Sequence, residues 1–102
     1  MTIDLSRYEM IAIDLDGTLL GPDGKVSERS KRAVRRALEA GIKIVFATGR
    51  NWYESATVLD EVGHHGAAVF VGGAITIDTE RRVTLHRQAM EPALALEVIR
   101  LF

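Results

Sequence analysis

Cysteine is absent from all 102 residues, which excludes a disulfide scaffold and a zinc-thiolate centre. Proline occurs only twice and aromatic residues make up 6%, and no Pro- or Ser-rich stretch reads as a linker. No apolar run approaches the ~20 residues of a membrane span, and Asp4, Arg7 and Glu9 interrupt any signal-peptide pattern near the start. Formal net charge is −1, so nothing global attracts nucleic acid or an anionic membrane. A cytoplasmic protein with neither as partner is expected. Against these absences stand 47% hydrophobic and 26% charged residues, the proportions of ordinary globular material. A single domain this small buries about 60–65% of its unfolded surface, so its core is thin.

The most informative stretch runs from Met10 to Leu20. A short isoleucine-rich run ends in Asp14 and Asp16, followed by Gly17 and Thr18. Alternate residues of a strand point the same way, so both carboxylates would face one pocket if the chain stayed extended between them. Two such acids repel, and a cation or a shared proton relieves the repulsion. The open end of a buried parallel strand is where α/β folds bind ligands.

The remaining chain alternates strand and helix. Glu9 to Asp14 reads as a strand covered on both faces, and Gly21-Pro22-Asp23-Gly24 as a tight turn. Ser27 is placed to cap a helix with Ala33, Val34, Ala37 and Leu38 at helical spacing, closed by Gly41. Its opposite face carries Arg29, Lys31, Arg32, Arg35 and Arg36, read as a solvated surface. Lys43 to Ala47 is a second buried strand, parallel to the first, ending in Thr48-Gly49-Arg50. Asn51 caps a second helix with Trp52, Ala56, Leu59 and Val62 on its apolar side. Ala67 to Val71 forms a third strand, Ala74 to Ile77 and Arg82 to His86 a short hairpin, and Glu91 to Phe102 a last helix with Pro92 at its start. The order predicts an α/β fold: a three-layer Rossmann-like parallel sheet, incomplete, with a hairpin and a C-terminal helix. Two full helices for three strands leave one face of the sheet thinly covered.

Asp14-Leu15-Asp16-Gly17-Thr18 resembles the first motif of the haloacid dehalogenase-like hydrolases, and Thr48 matches their second. The later residues look like the Cof-type branch of magnesium-dependent sugar-phosphate and cofactor phosphatases, over the front part of such an enzyme. The fold implied is the Rossmann-like core of that family, with residues 1–82 as its N-terminal part and 83–102 as the beginning of a cap. The resemblance implies that Asp14 is the nucleophile that forms an aspartyl-phosphate. Asp16 would then be the acid and base, its pKa raised by the neighbouring carboxylate. It also implies a Mg2+ ion held by Asp14 through its side chain and by Asp16 through its backbone carbonyl. The substrate class implied is a small phosphorylated metabolite. Read from the residues alone, the first motif is two acids and a turn, and oxygen ligands of this kind suit magnesium.

Thr18 supplies a hydroxyl donor, and Thr48, with the amides of Gly49 and Arg50 ahead of a helix, makes an anion site. The Arg50 side chain either touches substrate or packs on the surface. Gly72 stands where Cof-type enzymes usually carry asparagine, leaving only backbone donors there. His64 and His65 diverge and His86 is remote, so no zinc site is expected.

The family also uses a lysine beside the nucleophile and further acids on the metal, and neither Lys25 nor Lys43 is placed to substitute. The chain alone is therefore expected to be nearly inert. The alternative function is a non-catalytic magnesium- or phosphate-binding module that self-associates through its uncovered sheet or last helix. A receiver-like phosphoacceptor is disfavoured by the Asp-Gly-Thr spacing and the lack of a suitably placed lysine.

Overall fold

Two helix ends show how local sequence sets the architecture of the computed structural model, which describes residues 4–102. The first three positions of the polar lead-in expected over residues 1–8 lie outside the described residues. Helix α1 (Glu28–Glu39) starts where the Ser27 hydroxyl accepts from the Ser30 amide, and helix α2 (Trp52–Glu61) where the Asn51 carbonyl oxygen accepts from Glu54. Each ends on a glycine with positive φ, Gly41 at 82° and Gly63 at 67°. The amides of Gly41 and Ile42 donate to Leu38 and Ala37, and those of Gly63 and His64 to Asp60 and Leu59. That pairing satisfies the last helical carbonyls and turns the chain sharply.

The turns deliver five strands to one sheet. They are β1 (Met10–Asp14), β2 (Lys43–Ala47), β3 (Ala67–Phe70), β4 (Ile75–Asp78) and β5 (Val83–Arg87), in the spatial order β1-β2-β3-β4-β5. The first three are parallel, and β4 and β5 continue the sheet antiparallel, with a register shift at Thr76/Ile77. The expected hairpin thus extends the main sheet. A division at residue 82 falls inside it, between two paired strands.

One face of the sheet carries the core. Ile11 and Ile13 of β1, Ile44 and Phe46 of β2, Ala68 and Phe70 of β3, and Ile77 of β4 pack with Val34 and Ala37 of α1 and Val58 and Leu59 of α2. Both helices lie on that side, as two crossovers of the usual right hand taken in the same direction would place them. The opposite face, with Met10, Ala12 and Asp14 of β1 exposed, is covered by neither helix. The sequence reading of β1 as covered on both faces is corrected here. β1 is an edge strand with alternating exposure, because its one neighbour is β2 and its one cover is the helical layer.

Helix α3 (Pro92–Leu101) has no buried residue. The radius of gyration is 16.0 Å, against about 13 Å for a compact chain of this length, in keeping with a last helix that buries none of its residues.

His64, first residue past the α2 turn, is buried with its ring edge-on to Phe46 at 4.8 Å, and its Nε2 lies 2.9 Å from the Ala67 carbonyl. Burial pushes its pKa below the usual 6.5. The folded state therefore favours the neutral ring, and the unfolded chain binds more protons at mildly acid pH. Stability should be full above about pH 6.5 and decline as pH falls toward the depressed folded value. Thermal melts between pH 7.5 and 5 check this, and His64→Gln should flatten the decline.

Candidate active site

The ends of β1 and β2 lie side by side because Asp14 is in register with Ala47, and Ala47 in turn with Val69. All three sit on the face that the helices leave open, the row parity requires. Beyond them a hollow of about 300 Å³ is lined by Asp14, Ala47, Thr48, Gly49, Val69, Gly72 and Gly73. It stands at the C-terminal ends of parallel strands, where an open α/β sheet binds ligands.

Each wall has a local cause. Leu15 is fully buried and breaks the extended run after Asp14, so the chain turns into the core between the two acids. Asp14 Oδ1 accepts from the Leu15 amide at 2.8 Å, which orients the carboxylate and leaves Oδ2 available. Thr48 is buried, its hydroxyl accepting from the Arg50 amide at 3.1 Å. Its backbone is tied to β3 and the following turn, the Thr48 amide to the Val69 carbonyl and the Gly72 amide to the Thr48 carbonyl. Gly49 has an ordinary φ, and a Cβ built on it meets nothing within 4 Å. The fold does not demand glycine there; the space in front of its amide is simply open. Val71, Gly72 and Gly73 follow with φ of 52°, 62° and 105°. Positive φ in a β-branched residue such as Val71 is strained, so the turn that closes the hollow is held under tension.

Asp16 is not in the hollow's lining. Its carboxylate lies at the rim in a fork with the Arg50 guanidinium, Nε to Oδ2 at 2.7 Å and Nη2 to Oδ1 at 2.5 Å. Arg50, whose side chain sequence left open, thus faces the first motif. The hydrogen bonds from Arg50 hold the Asp16 carboxyl below the usual carboxylate range and raise the Arg50 value in turn. The expectation that a neighbouring carboxylate raises Asp16 is corrected: turning the chain at Leu15 separates the acids, and a cation dominates. Thr18 lines a different hollow, against Ile11, Ile13 and α1. Of the six residues read from sequence, Asp14, Thr48 and Gly49 share the pocket, Asp16 and Arg50 pair with each other outside its lining, and Thr18 stands apart.

The Asp14 carboxylate, with no thiolate nearby, suits a hard cation. Among the described residues no group of three His, Asp or Glu side chains converges on a metal position. The hollow itself is lined by one carboxylate, that of Asp14, which fits an ion that keeps several waters and takes one or two carboxylates plus a phosphate.

The family model described as haloacid dehalogenase-like hydrolase matches residues 11–102. The chain belongs to that family. Its sequence is 32% identical over 91 residues to the phosphatase YwpJ of Bacillus subtilis, covering 89% of this chain and 32% of the relative. It is 34% identical over 91 residues to an HMP-PP phosphatase of Klebsiella pneumoniae, covering 89% and 33%. The solved structure of a haloacid dehalogenase-like hydrolase from B. subtilis superposes with a TM-score of 0.82 at 29% identity, over 91% of this chain and 32% of that one. A phosphatase of the superfamily from Bacteroides thetaiotaomicron gives 0.82 at 27%, over 92% and 34%. The chain spans about a third of the length of these haloacid dehalogenase-like relatives.

Proposed function

We propose that these residues form the nucleophile-bearing part of a Mg2+-dependent phosphatase acting on a small phosphorylated metabolite through an aspartyl-phosphate. The observation that carries the reading is the common hollow, in which the free edge of the Asp14 carboxylate and the Thr48-Gly49 turn meet on adjoining strand ends. Named phosphatases among the relatives support the reaction class.

In this reading Asp14 Oδ2 attacks phosphorus while the bond from phosphorus to the leaving oxygen breaks, and water later releases phosphate and restores the carboxylate. Thr48 and the Gly49 amide hold the equatorial oxygens, and the α2 N-terminus favours their charge. Asp16 passes a proton to the leaving oxygen and takes one from the water. Bound Mg2+, held by Asp14 and the Asp16 carbonyl, would offset phosphate charge. Thr18, turned toward α1, is left out of the phosphate contacts.

None of the three lysines reaches the site. Lys25 is in the turn after the first motif, Lys31 pairs with Glu28 on α1, and Lys43 opens β2 at the far end of the sheet. One electrostatic contact to a transition state is worth roughly 3–4 kcal/mol, so the 102-residue chain should bind phosphate yet turn over an aryl phosphate very slowly.

Gly49→Ala separates this reading from a purely structural turn. With ordinary φ and open space, alanine should raise stability by up to about 1 kcal/mol. Its methyl group should at the same time cut Mg2+-dependent phosphate affinity, read by calorimetric titration, by about tenfold. An unchanged affinity in Gly49→Ala would remove the phosphate from this position.

One observation favours a second reading, self-association. α3 exposes Leu94, Leu96, Ile99 and Leu101, with Phe102 beyond it, an apolar surface of the kind that pairs. Light scattering should then show a dimer that Ile99→Glu dissociates; a concentration-independent monomer would dismiss it.

A further inference from the structure

The pair at the rim joins segments 34 residues apart in sequence. Arg50 is held at its backbone, where its amide donates to Thr48 Oγ1 and its carbonyl accepts from the Val71 amide. Asp16 is held where its backbone bridges Leu20. The two side chains alone are free to part. They are partly open to water, at 33% exposure for Arg50 and 59% for Asp16, and an ion pair so exposed contributes little to holding the fold.

Its geometry does something else. A guanidinium presents two parallel N–H donors to a carboxylate, and it presents the same fork, more strongly, to the oxygens of a phosphate. The Arg50 backbone forms the turn beside Thr48 and Gly49, so a phosphate in the hollow would lie within the sweep of the Arg50 side chain.

We propose that the Arg50–Asp16 fork is an exchangeable latch: phosphate entering the Thr48-Gly49 hollow takes over the guanidinium and thereby releases the Asp16 carboxylate. The latch rests on the phosphate-site reading and adds to it a sequence of contacts. In the absence of phosphate, Arg50 neutralises Asp16 and holds its carboxylate in the fork. When a phosphate dianion occupies the hollow, it offers Arg50 a better partner and Asp16 is free to move toward the reacting oxygen. Substrate binding and the readiness of Asp16 then become a single event, and an unoccupied site keeps its second acid tied.

The test is a double-mutant cycle on the affinity of the 102-residue chain for inorganic phosphate at fixed Mg2+, using Asp16→Asn, Arg50→Gln and the double variant. Removing the Asp16 charge relieves repulsion of phosphate in either background. A latch adds a second gain only where Arg50 is present to be freed. The gain from Asp16→Asn should be about threefold larger with arginine at position 50 than with glutamine, within the range of an exposed ion pair.

In the unmutated chain, the Nε–Hε resonance of Arg50 should shift on phosphate addition with the same midpoint as the Gly49 amide. Equal gains in both backgrounds, or a stationary Arg50 resonance while the Gly49 amide moves, would overturn the latch and leave the phosphate site standing. Failure of every variant to bind phosphate would overturn the latch and the proposed function together.

Discussion

Asp14→Asn should abolish formation of a phosphoryl-type adduct on this chain. Beryllium fluoride bonds to a carboxylate oxygen in the place of a phosphoryl group. With Mg2+ present, the chain should show a bound 19F signal that Asp14→Asn eliminates and Asp16→Asn retains. The physical reason is narrow. Asp14 lines the hollow, with Oδ1 engaged by the Leu15 amide and Oδ2 without a hydrogen-bond partner among the described residues. Asparagine keeps an oxygen for the amide but loses the anionic atom that must bond to phosphorus. Asp14 is exposed, so the variant should fold as before, with stability within about 0.5 kcal/mol. A bound signal that survives Asp14→Asn would transfer the nucleophile to another residue, Asp16 first among them.

The second large effect concerns the core. Phe46 and Phe70 are fully buried on the packed face, and Phe46 also meets the His64 ring. Truncating such a residue costs about 3–5 kcal/mol through lost transfer energy and the cavity left behind. Small domains hold only about 5–15 kcal/mol in total, and this sheet packs on one side only. Phe46→Ala should therefore lower the melting temperature by on the order of 20 °C or leave the chain unfolded at room temperature, as circular dichroism would show. Ile99→Ala, on the solvent-exposed helix α3, should change stability by less than about 0.5 kcal/mol. Comparable losses at both positions would mean that α3 belongs to the core and that the division between packed and open surfaces is misplaced.

Much of this was legible from local chemistry. Ser27 and Asn51 cap the helices, and Gly41 and Gly63 close them, because capping depends on residues within one turn. The β1-α1-β2-α2-β3 order followed from apolar runs and their punctuation. The sequence places Asp14, Asp16 and Thr48 at one rim; register brings two of them there, since Thr48 is one residue past the Asp14–Ala47 pair, while Asp16 stays out of the hollow's lining.

What escaped sequence reading depends on distant partners. The edge position of β1 is a property of which strands lie beside it, and the isoleucines of Ile11-Ala12-Ile13 read the same at an edge as at a centre. That β4 and β5 join the main sheet is set by pairing with β3 across four positions, which local periodicity does not encode. The fork between Asp16 and Arg50 spans 34 residues. The one available signal was charge complementarity at two neighbouring strand ends. The Leu15 turn that separates the acids is visible as an apolar residue between two polar ones, a pattern that an extended strand would have placed on the opposite face. The structure buries it instead, and the Asp16 carboxyl, hydrogen-bonded to Arg50, is lowered rather than raised.

The proposed reaction requires Asp14 and the Thr48-Gly49 turn to act as one site. A crystal structure of the chain with Mg2+ and beryllium fluoride tests that most directly. The expected result is a fluoride adduct on Asp14 Oδ2, with the Thr48 hydroxyl and the Gly49 amide within hydrogen-bond distance of its fluorines. An adduct bonded elsewhere, or a hollow without ligand while the chain binds beryllium fluoride in solution, would contradict it.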